Sequence, residues 1–286
     1  MKNAKNTLYI SDLDGTLLNN NAEISKETET LLNTLIDSGV HFSVATARTL
    51  ATAEILLRNL RLQVPIVLMN GVLVYDMGEQ RYAQIHYLSP NIIPELLKIL
   101  RRHKTTAILY KLLHDEQHSY HEPSVSPALR DFIDERKNKY YKSFQQVDTL
   151  ENIDPNKIIY FTLLDTYEKI KPVAEELDSF CQKTGGCKTA LYEDSYHPGT
   201  WYLEVFSDRA SKENGVRYLR DTHDFTHIVG FGDNFNDLPM FRACDTAVAV
   251  ANAKPELKSV AHFIADSNEN HGVAQWIAAH SANLSF

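Results

Sequence analysis

Short apolar runs alternate with amphipathic segments along the first 70 residues of the chain. Leu8–Ile10 is an apolar run that ends abruptly in acidic residues and glycine, which predicts a buried strand leading into a loop. Ser25 precedes apolar residues at helical spacing, and Gly39 suits the C-terminus of that helix. The next strand, helix and strand are predicted at His41–Ala45, Thr49–Leu60 and Pro65–Met69. Strands that alternate with helices indicate right-handed βαβ units and a parallel sheet.

The same alternation returns near the end of the chain. The elements predicted there are strands at Ile228–Phe231 and Ala247–Val250 and helices at Asp237–Ala243, from Pro255, and at Gly272–His280. The segment between about Arg81 and Val205 is different, because it is richer in Tyr, Lys and His and mixes helices with isolated strands. We therefore predict an α/β core domain formed by residues 1–81 and 206–286, with an α+β cap domain, residues 82–205, inserted into it.

Composition narrows the classes of partner. The net charge is −8, and an acidic surface repels nucleic acid and anionic membranes, so we expect neither as a partner. No apolar run approaches the roughly 20 residues that span a bilayer. The three cysteines cannot all pair and lack the spacing of a zinc site, which predicts free thiols in a reducing, cytoplasmic environment. We expect a monomer or a weak homodimer.

The first of four polar clusters follows the first strand and reads Asp12-Leu-Asp14-Gly-Thr16. Two carboxylates two residues apart leave a strand end on the same side. One of them can attack phosphorus and bind a cation, while the other exchanges a proton with the ester oxygen. Gly15 permits the tight turn that this requires. Asp-Gly pairs are also common in ordinary turns, which is the alternative explanation of this cluster.

The second and third clusters supply groups that bind anions. Thr46 and Ala47 follow the second strand, and a hydroxyl with backbone N–H groups at a helix start can form a cradle for phosphate. An ordinary helix N-cap is the alternative for this threonine. Lys212, in Ser-Lys212-Glu-Asn-Gly215, could offset the repulsion between a carboxylate and phosphate, although a lone lysine at a helix start is usually just solvated.

The fourth cluster follows the strand that ends at Phe231 and reads Gly232-Asp233-Asn-Phe-Asn236-Asp237. Asp233 and Asp237 offer the hard oxygen ligands that magnesium prefers, and Asn236 can donate to a phosphate oxygen. An acidic helix N-cap is the alternative. Since all four clusters fall at strand ends or helix starts of one predicted sheet, where open α/β sheets bind ligands, together they favour one phosphate site.

These clusters resemble, in order, the four motifs of the haloacid dehalogenase superfamily, and more closely those of its Cof-type, subfamily IIB phosphatases. The residues that carry the finer resemblance are Asn70-Gly71, Met240 and Ala251-Asn252-Ala253. The resemblance covers the core and is weak in the cap. It implies a Rossmann-like parallel-sheet core with a cap of type C2B inserted between the second and third motifs.

The resemblance also implies roles for the site residues. Asp12 would be the nucleophile that forms an aspartyl-phosphate, and Asp14 the general acid and then the base that activates water. Mg²⁺ would be held by the carboxylates of Asp12 and Asp233 and the backbone carbonyl of Asp14, with Asp237 in support. The groups that would bind the transferring phosphoryl are Thr46, Ala47, Lys212 and Asn236. Two departures from the family pattern are Ala47 in place of a glycine and the two residues between Lys212 and Gly215.

The expected reaction is hydrolysis of small phosphate monoesters, such as sugar phosphates or related metabolites. In the superfamily's ATP-driven pumps the position of Asp14 is Thr, which preserves the phosphoenzyme, whereas Asp favours turnover. A phosphomutase of the phosphomannomutase type is the alternative enzyme, but it needs a cap that grips a bisphosphate, and the insertion shows no Arg cluster. A non-catalytic phosphate-binding module is a third possibility, against which the intact set of motifs argues.

The cap is expected to close over the site and to set specificity. Its histidines His114, His118 and His121 would share one face of a helix, which raises the question of a metal site. The order His114-Asp-Glu-Gln-His118 lacks the His-Glu-x-x-His arrangement, so exposed cap residues or contact with substrate are the better interpretations.

Overall fold

The computed structural model describes residues 6–194 and 196–281. The chain forms two compact units, one made of Met1–Gln84 with Ser211–Phe286 and the other of Ile85–Ala210. None of the described helices is long and apolar enough to cross a membrane.

The first part of the larger unit alternates strands with helices, as the apolar pattern predicts. Its elements are β1 (Thr7–Ser11), α1 (Lys26–Asp37), β2 (His41–Val44), α2 (Leu50–Leu57), β3 (Ile66–Leu68), β4 (Leu73–Asp76) and β5 (Arg81–Ile85). Helix α1 begins where predicted, because the hydroxyl of Ser25 accepts a hydrogen bond from the backbone N–H of Thr28. Strands β3, β4 and β5 form a small three-stranded sheet.

The inserted unit is a sheet covered by helices. Its elements are α3 (Ile93–Arg102), β6 (Ile108–Leu113), β7 (Glu116–His121), α4 (Pro127–Tyr140), β8 (Gln145–Gln146), β9 (Ile158–Thr166), α5 (Tyr167–Thr184), β10 (Lys188–Glu193) and β11 (Thr200–Phe206). The strand order is β10-β11-β9-β6-β7-β8. Leu97, Leu100 and Leu177 of α3 and α5 pack with Leu109, Phe161 and other strand residues in one apolar core. This is the α+β architecture expected of a cap.

The chain then completes the larger unit. The last elements are α6 (Lys212–His223), β12 (His227–Gly232), α7 (Leu238–Ala243), β13 (Thr246–Val250), α8 (Pro255–Val260), β14 (Phe263–Ala265) and α9 (Gly272–Ser281). The main sheet has the order β14-β13-β12-β1-β2, and its strands are all parallel. The predicted fold class, a Rossmann-like parallel-sheet core with an inserted α+β unit, is therefore confirmed.

The centre of the main sheet positions the site. Strands β1 and β12 are neighbours, with Ser11 opposite Phe231. The backbone N–H of Asp12 donates to the carbonyl of Phe231 at 2.9 Å. Because parallel strands end at the same edge, the chain leaves both strands side by side, and the residues that follow Ser11 and Phe231 must meet.

Two expectations from the sequence are wrong, and one strand of the structure was not among the predicted elements. His114, His118 and His121 do not share a helix face, because β6 and β7 form an antiparallel hairpin with His114 in its turn. In a strand, residues three apart point to opposite faces, so His118 and His121 diverge. Strand β14 was not predicted, since Phe263 and Ile264 of this edge strand are half exposed. The second wrong expectation concerns the cysteines.

The cysteines are not all free thiols. Cys181, near the end of α5, forms a disulfide with Cys187, just before β10. Both side chains are buried in the core of the inserted unit. Cys244 is the free cysteine of the described residues. The odd number of cysteines excluded only complete pairing, and the fold brings one pair together.

Candidate active site

A sharp turn follows β1 and carries the first predicted cluster. Residues Leu13–Leu17 form one wide helical turn, closed by a hydrogen bond from the N–H of Leu18 to the carbonyl of Leu13 at 2.9 Å. Within it, Asp14 (φ −71°, ψ 119°) and Gly15 (φ 75°, ψ −3°) have the dihedral angles of a type II turn. The second central position of that turn needs a positive φ, which glycine adopts without strain.

Gly15 is also required by its neighbour. A Cβ atom at this position would lie 2.4 Å from Oδ2 of Asp233, which no side chain could accommodate without movement. The next residue, Thr16, donates a hydrogen bond from its hydroxyl to Oδ1 of Asp233 at 2.9 Å. The first and fourth predicted clusters are thus in direct contact.

Lys212 joins the same cluster. It is the first residue of α6, which is capped by the hydroxyl of Ser211, and its side chain is fully buried. Its Nζ lies 2.5 Å from Oδ1 of Asp12 and 2.7 Å from Oδ1 of Asp237. The two residues between Lys212 and Gly215 are simply part of the first turn of α6, so this departure from the family pattern does not displace the lysine.

Asp237 organises the loop after β12. Its Oδ2 accepts hydrogen bonds from the backbone N–H groups of Asp233 (2.9 Å) and Asn234 (3.1 Å), while its Oδ1 accepts from Lys212. Both oxygens of this fully buried carboxylate are therefore engaged by the protein. Asn236 lies beside it in a short 3₁₀ turn and is half-buried.

The carboxylates of Asp12, Asp233 and Asp237 are concentrated within 4.8 Å of one another. Burial has the largest effect on the pKa of Asp12 and raises it, Lys212 lowers it, and the nearby Asp237 and Asp14 raise it. Together these effects raise the pKa of Asp12 to about 7. Burial, then Asp237 and Asp12, raise the pKa of Asp233 well above its usual range. Burial lowers the pKa of Lys212, but Asp12 and Asp237 outweigh it and leave the pKa raised. Because this crowding of hard oxygen donors opposes ionisation, the residues fit a divalent cation, which would favour the charged carboxylates.

Thr46 lies two residues after the end of β2, where Val44 pairs with Ser11 of β1, and it is fully buried. Its hydroxyl accepts a hydrogen bond from the N–H of Arg48 at 3.1 Å. Helix α2 starts only at Leu50, and its N-cap is Thr49, so the alternative explanation of Thr46 as an ordinary N-cap is wrong. Ala47, between Thr46 and Arg48, is half-buried in this loop.

The role of Arg48 in the site was not predicted from the sequence. Its Nε and one terminal nitrogen donate to the two oxygens of Asp14 at 2.8 and 2.6 Å. The arginine side chain is 7% exposed and the aspartate side chain 28% exposed. This two-point ion pair fixes the orientation of the Asp14 carboxylate toward Arg48. The available signal was the position of Arg48, two residues after Thr46 at a strand end.

The loop after β3 supports two of these segments. The N–H of Asn70 donates to the carbonyl of Thr46 at 3.0 Å, and the N–H of Met69 donates to the carbonyl of Arg48 at 3.1 Å. Gly71 has φ +89°, and a Cβ there would lie 2.0 Å from the carbonyl oxygen of Ser211. This close approach holds the residue that caps α6, and so it fixes the start of the helix that carries Lys212.

The structure thus unites Asp12, Lys212, Asp233 and Asp237 in one buried cluster at the carboxyl edge of the sheet. It places Asp14 beside Arg48, and it places Thr46, Ala47 and Asn236 just after β2 and β12, the two strands that flank β1.

Comparisons with known proteins find relatives that match almost the whole chain. The chain is 23% identical over 274 residues to a 5-amino-6-(5-phospho-D-ribitylamino)uracil phosphatase of Bacillus subtilis, covering 94% of this chain and 96% of the relative. A haloacid dehalogenase-like hydrolase from Bacteroides thetaiotaomicron superposes with a TM-score of 0.78 at 22% identity over 96% of this chain and 98% of that one. A HAD subclass IIB sugar phosphatase gives 0.73 at 16% identity over 96% and 99%.

A family model for haloacid dehalogenase-like hydrolases matches residues 9–277, which include every residue of the site described above. The chain therefore belongs to the haloacid dehalogenase-like hydrolase family.

Proposed function

We propose that this chain is a Mg²⁺-dependent phosphatase that hydrolyses small phosphate monoesters, such as sugar phosphates or related metabolites, through an aspartyl-phosphate on Asp12. The observation that carries the proposal is the buried Nζ of Lys212, 2.5 Å from Asp12 and 2.7 Å from Asp237. A buried cation at a carboxylate offsets the repulsion that an incoming phosphate would meet. The intact cluster favours catalysis over simple binding.

Family membership and the phosphatase relatives bear out the coarser prediction, that of a phosphoric monoester hydrolase. The names of the relatives point to two kinds of ester, a phosphorylated ribitylaminouracil and sugar phosphates. We therefore propose a small phosphorylated metabolite as the substrate and expect a screen to include both kinds.

In the first step Asp12 attacks phosphorus, and the bond to the ester oxygen breaks. The proton for the departing alkoxide comes from Asp14, which then accepts a proton from the water that attacks the aspartyl-phosphate. Arg48 contacts both oxygens of Asp14, and a carboxylate oxygen that accepts one hydrogen bond has a second lone pair that can hold a proton, so the ion pair is compatible with the proposed proton transfer. Arg48 is on this proposal a positioning residue for the acid.

The cation would be held by Asp12 and Asp233, with the backbone carbonyl of Asp14 as a further ligand. Asp237 supports rather than binds, because its two oxygens already accept from Lys212 and from two backbone N–H groups. A bound Mg²⁺ supplies charge neutralisation at the transferring phosphoryl group. Lys212, Asn236, the hydroxyl of Thr46 and the N–H of Ala47 are proposed to bind the phosphoryl oxygens.

The proposal is tested by trapping the intermediate. Asp14→Asn, given an aryl phosphate and Mg²⁺, should form the phosphoenzyme but hydrolyse it slowly, and mass spectrometry should locate one phosphoryl group on Asp12. Asp12→Asn should neither trap phosphate nor release it from any ester of a metabolite panel. Steady turnover by Asp12→Asn, or turnover unaffected by removal of Mg²⁺, would refute the mechanism.

A further inference from the structure

Gly15 has no side chain that could restrain the turn in which it lies. Its positive φ and its closeness to Asp233 demand glycine, yet glycine is the residue whose backbone is least restrained. A metal site needs its donors fixed to within a fraction of an ångström. Something else must therefore hold the turn that carries Asp12 and Asp14.

The segment after β13 makes contact with this turn. Nδ2 of Asn252 donates a hydrogen bond to the carbonyl oxygen of Gly15 at 2.7 Å. Two residues later, the N–H of Lys254 donates to the carbonyl oxygen of Asp233 at 2.8 Å. The short segment from Asn252 to Lys254 therefore hydrogen-bonds to the backbone of both loops that supply carboxylates to the cluster.

Asn268 fixes Asn252 in turn. Its backbone N–H donates to Oδ1 of Asn252 at 3.0 Å, and this contact defines which end of the Asn252 amide faces Gly15. The buried side chain of Asn268 donates to the carbonyl oxygen of Leu18 at 2.9 Å, just after the catalytic turn. The turn is therefore held at Gly15, in its middle, and at Leu18, just after its end, by two asparagines that are themselves connected.

We propose that Asn252 and Asn268 are positioning residues of the cation site, which set the distance between the Asp12–Asp14 turn and Asp233. The proposal rests on the metal dependence of the proposed function. Neither asparagine has to touch the cation. Asn252 acts through the backbone carbonyl of Gly15, and Asn268 acts through that of Leu18. Thr16 connects the turn to Asp233 by its hydrogen bond. Groups that orient metal ligands from outside affect affinity strongly.

The test is the affinity of the metal-stripped protein for Mn²⁺, which accepts the same oxygen ligands as Mg²⁺. Free Mn²⁺ is counted by electron paramagnetic resonance, so no catalysis is needed. For Asn252→Ala and Asn268→Ala we expect the dissociation constant to rise by about tenfold. Asn270→Ala is the matched control, because this exposed asparagine lies in the same 3₁₀ turn as Asn268 and its side chain bonds only to Asp266 among the described hydrogen bonds. The affinity of this variant for Mn²⁺ should be unchanged.

Unfolding temperatures measured in EDTA separate positioning from stability. Asn252 is exposed, so Asn252→Ala should stay folded even if Asn268→Ala does not. Wild-type affinity in a folded Asn252→Ala protein would overturn the inference and leave the proposed function intact. If the wild-type protein binds no Mn²⁺ at all, both the inference and the metal dependence of the proposed function are wrong.

Discussion

Arg48 donates two hydrogen bonds to the carboxylate of Asp14, at 2.8 and 2.6 Å, from a loop that follows a different strand. Two parallel contacts fix the plane of the carboxylate as well as its position, which a single contact would not. The acid of the proposed mechanism is therefore oriented before any substrate arrives.

Substitution of Arg48 should harm some substrates more than others. A poor leaving group, such as an alkoxide, needs a proton in the transition state, whereas an aryl oxide hardly does. For Arg48→Met we expect kcat/KM to fall by about tenfold for an alkyl phosphate and much less for p-nitrophenyl phosphate. Arg61→Met, which removes an exposed ion pair with Asp37, is the control. Equal losses for both esters would contradict a role through Asp14.

Glycine at position 15 can be tested against a second glycine of positive φ. Gly15→Ala adds both backbone strain and a clash with Asp233, while Gly39→Ala, at φ +98° with nothing within 4 Å, adds strain alone. Each should lose about 1 kcal/mol of stability from the strain. Only Gly15→Ala should also lose cation binding, measured by calorimetric titration with Mg²⁺. If both variants bind alike, the contact with Asp233 is unimportant.

Removal of the Lys212 charge leaves two buried carboxylates facing each other. Breaking a buried ion pair from one side is strongly unfavourable, so Lys212→Met should lose about 3 kcal/mol of unfolding free energy in EDTA. Mg²⁺ should restore part of that loss, because a cation relieves the same repulsion. Urea unfolding with and without Mg²⁺ measures both effects. Lys26→Met, which breaks a surface ion pair, should change little under either condition.

The pKa of Asp12 predicts a pH dependence. A carboxyl group whose pKa rises from 3.8 to about 7 on folding binds its proton more tightly in the folded state. Its contribution to stability is thus fully present below pH 3.8 and is lost as the pH rises to about 7. In EDTA, the difference in Tm between the wild type and Asp12→Asn should fall over this range. A difference that rises with pH would show that Asp12 is ionised throughout.

The disulfide of the inserted unit should contribute to stability. A bridge that closes so short a loop restricts the unfolded chain by about 2 kcal/mol. We expect the double variant Cys181→Ser, Cys187→Ser to lose this amount of unfolding free energy in urea. Dithiothreitol should lower the unfolding free energy of the wild-type protein toward that of the variant. Cys244→Ser should leave the effect of dithiothreitol unchanged. Equal stability of oxidised and reduced protein would show that the bond is not formed in solution.

Strand ends could be predicted because the signal is local. An apolar run followed at once by Asp12, Thr46 or Asp233 marks the carboxyl end of a buried strand, and parallel strands bring such ends together. The larger part of the fold and the assembly of the cluster follow from that rule.

Partners distant in sequence could not be predicted in this way. Arg48 lies 34 residues from Asp14, and Asn252 lies 237 residues from Gly15, so no periodicity connects them. The hairpin of His114 was mistaken for a helix because a spacing of three or four suggests a helix face, whereas the turn at His114 and the pairing of β6 with β7 decide the outcome. The disulfide depends on where α5 ends relative to β10.

The tight packing of Gly71 on Ser211 bears on how such a protein can change over evolution. Ser211 is the residue at which the chain re-enters the larger unit, and its carbonyl lies so close to Gly71 that a side chain at position 71 would clash with it. The re-entry point is therefore anchored by the first half of the same unit rather than by the 126 residues of the insertion, Ile85–Ala210. We therefore expect that the insertion can be lengthened, shortened or exchanged while Lys212 stays beside Asp12, and that on the proposed function such changes would alter the choice of substrate without altering the cluster.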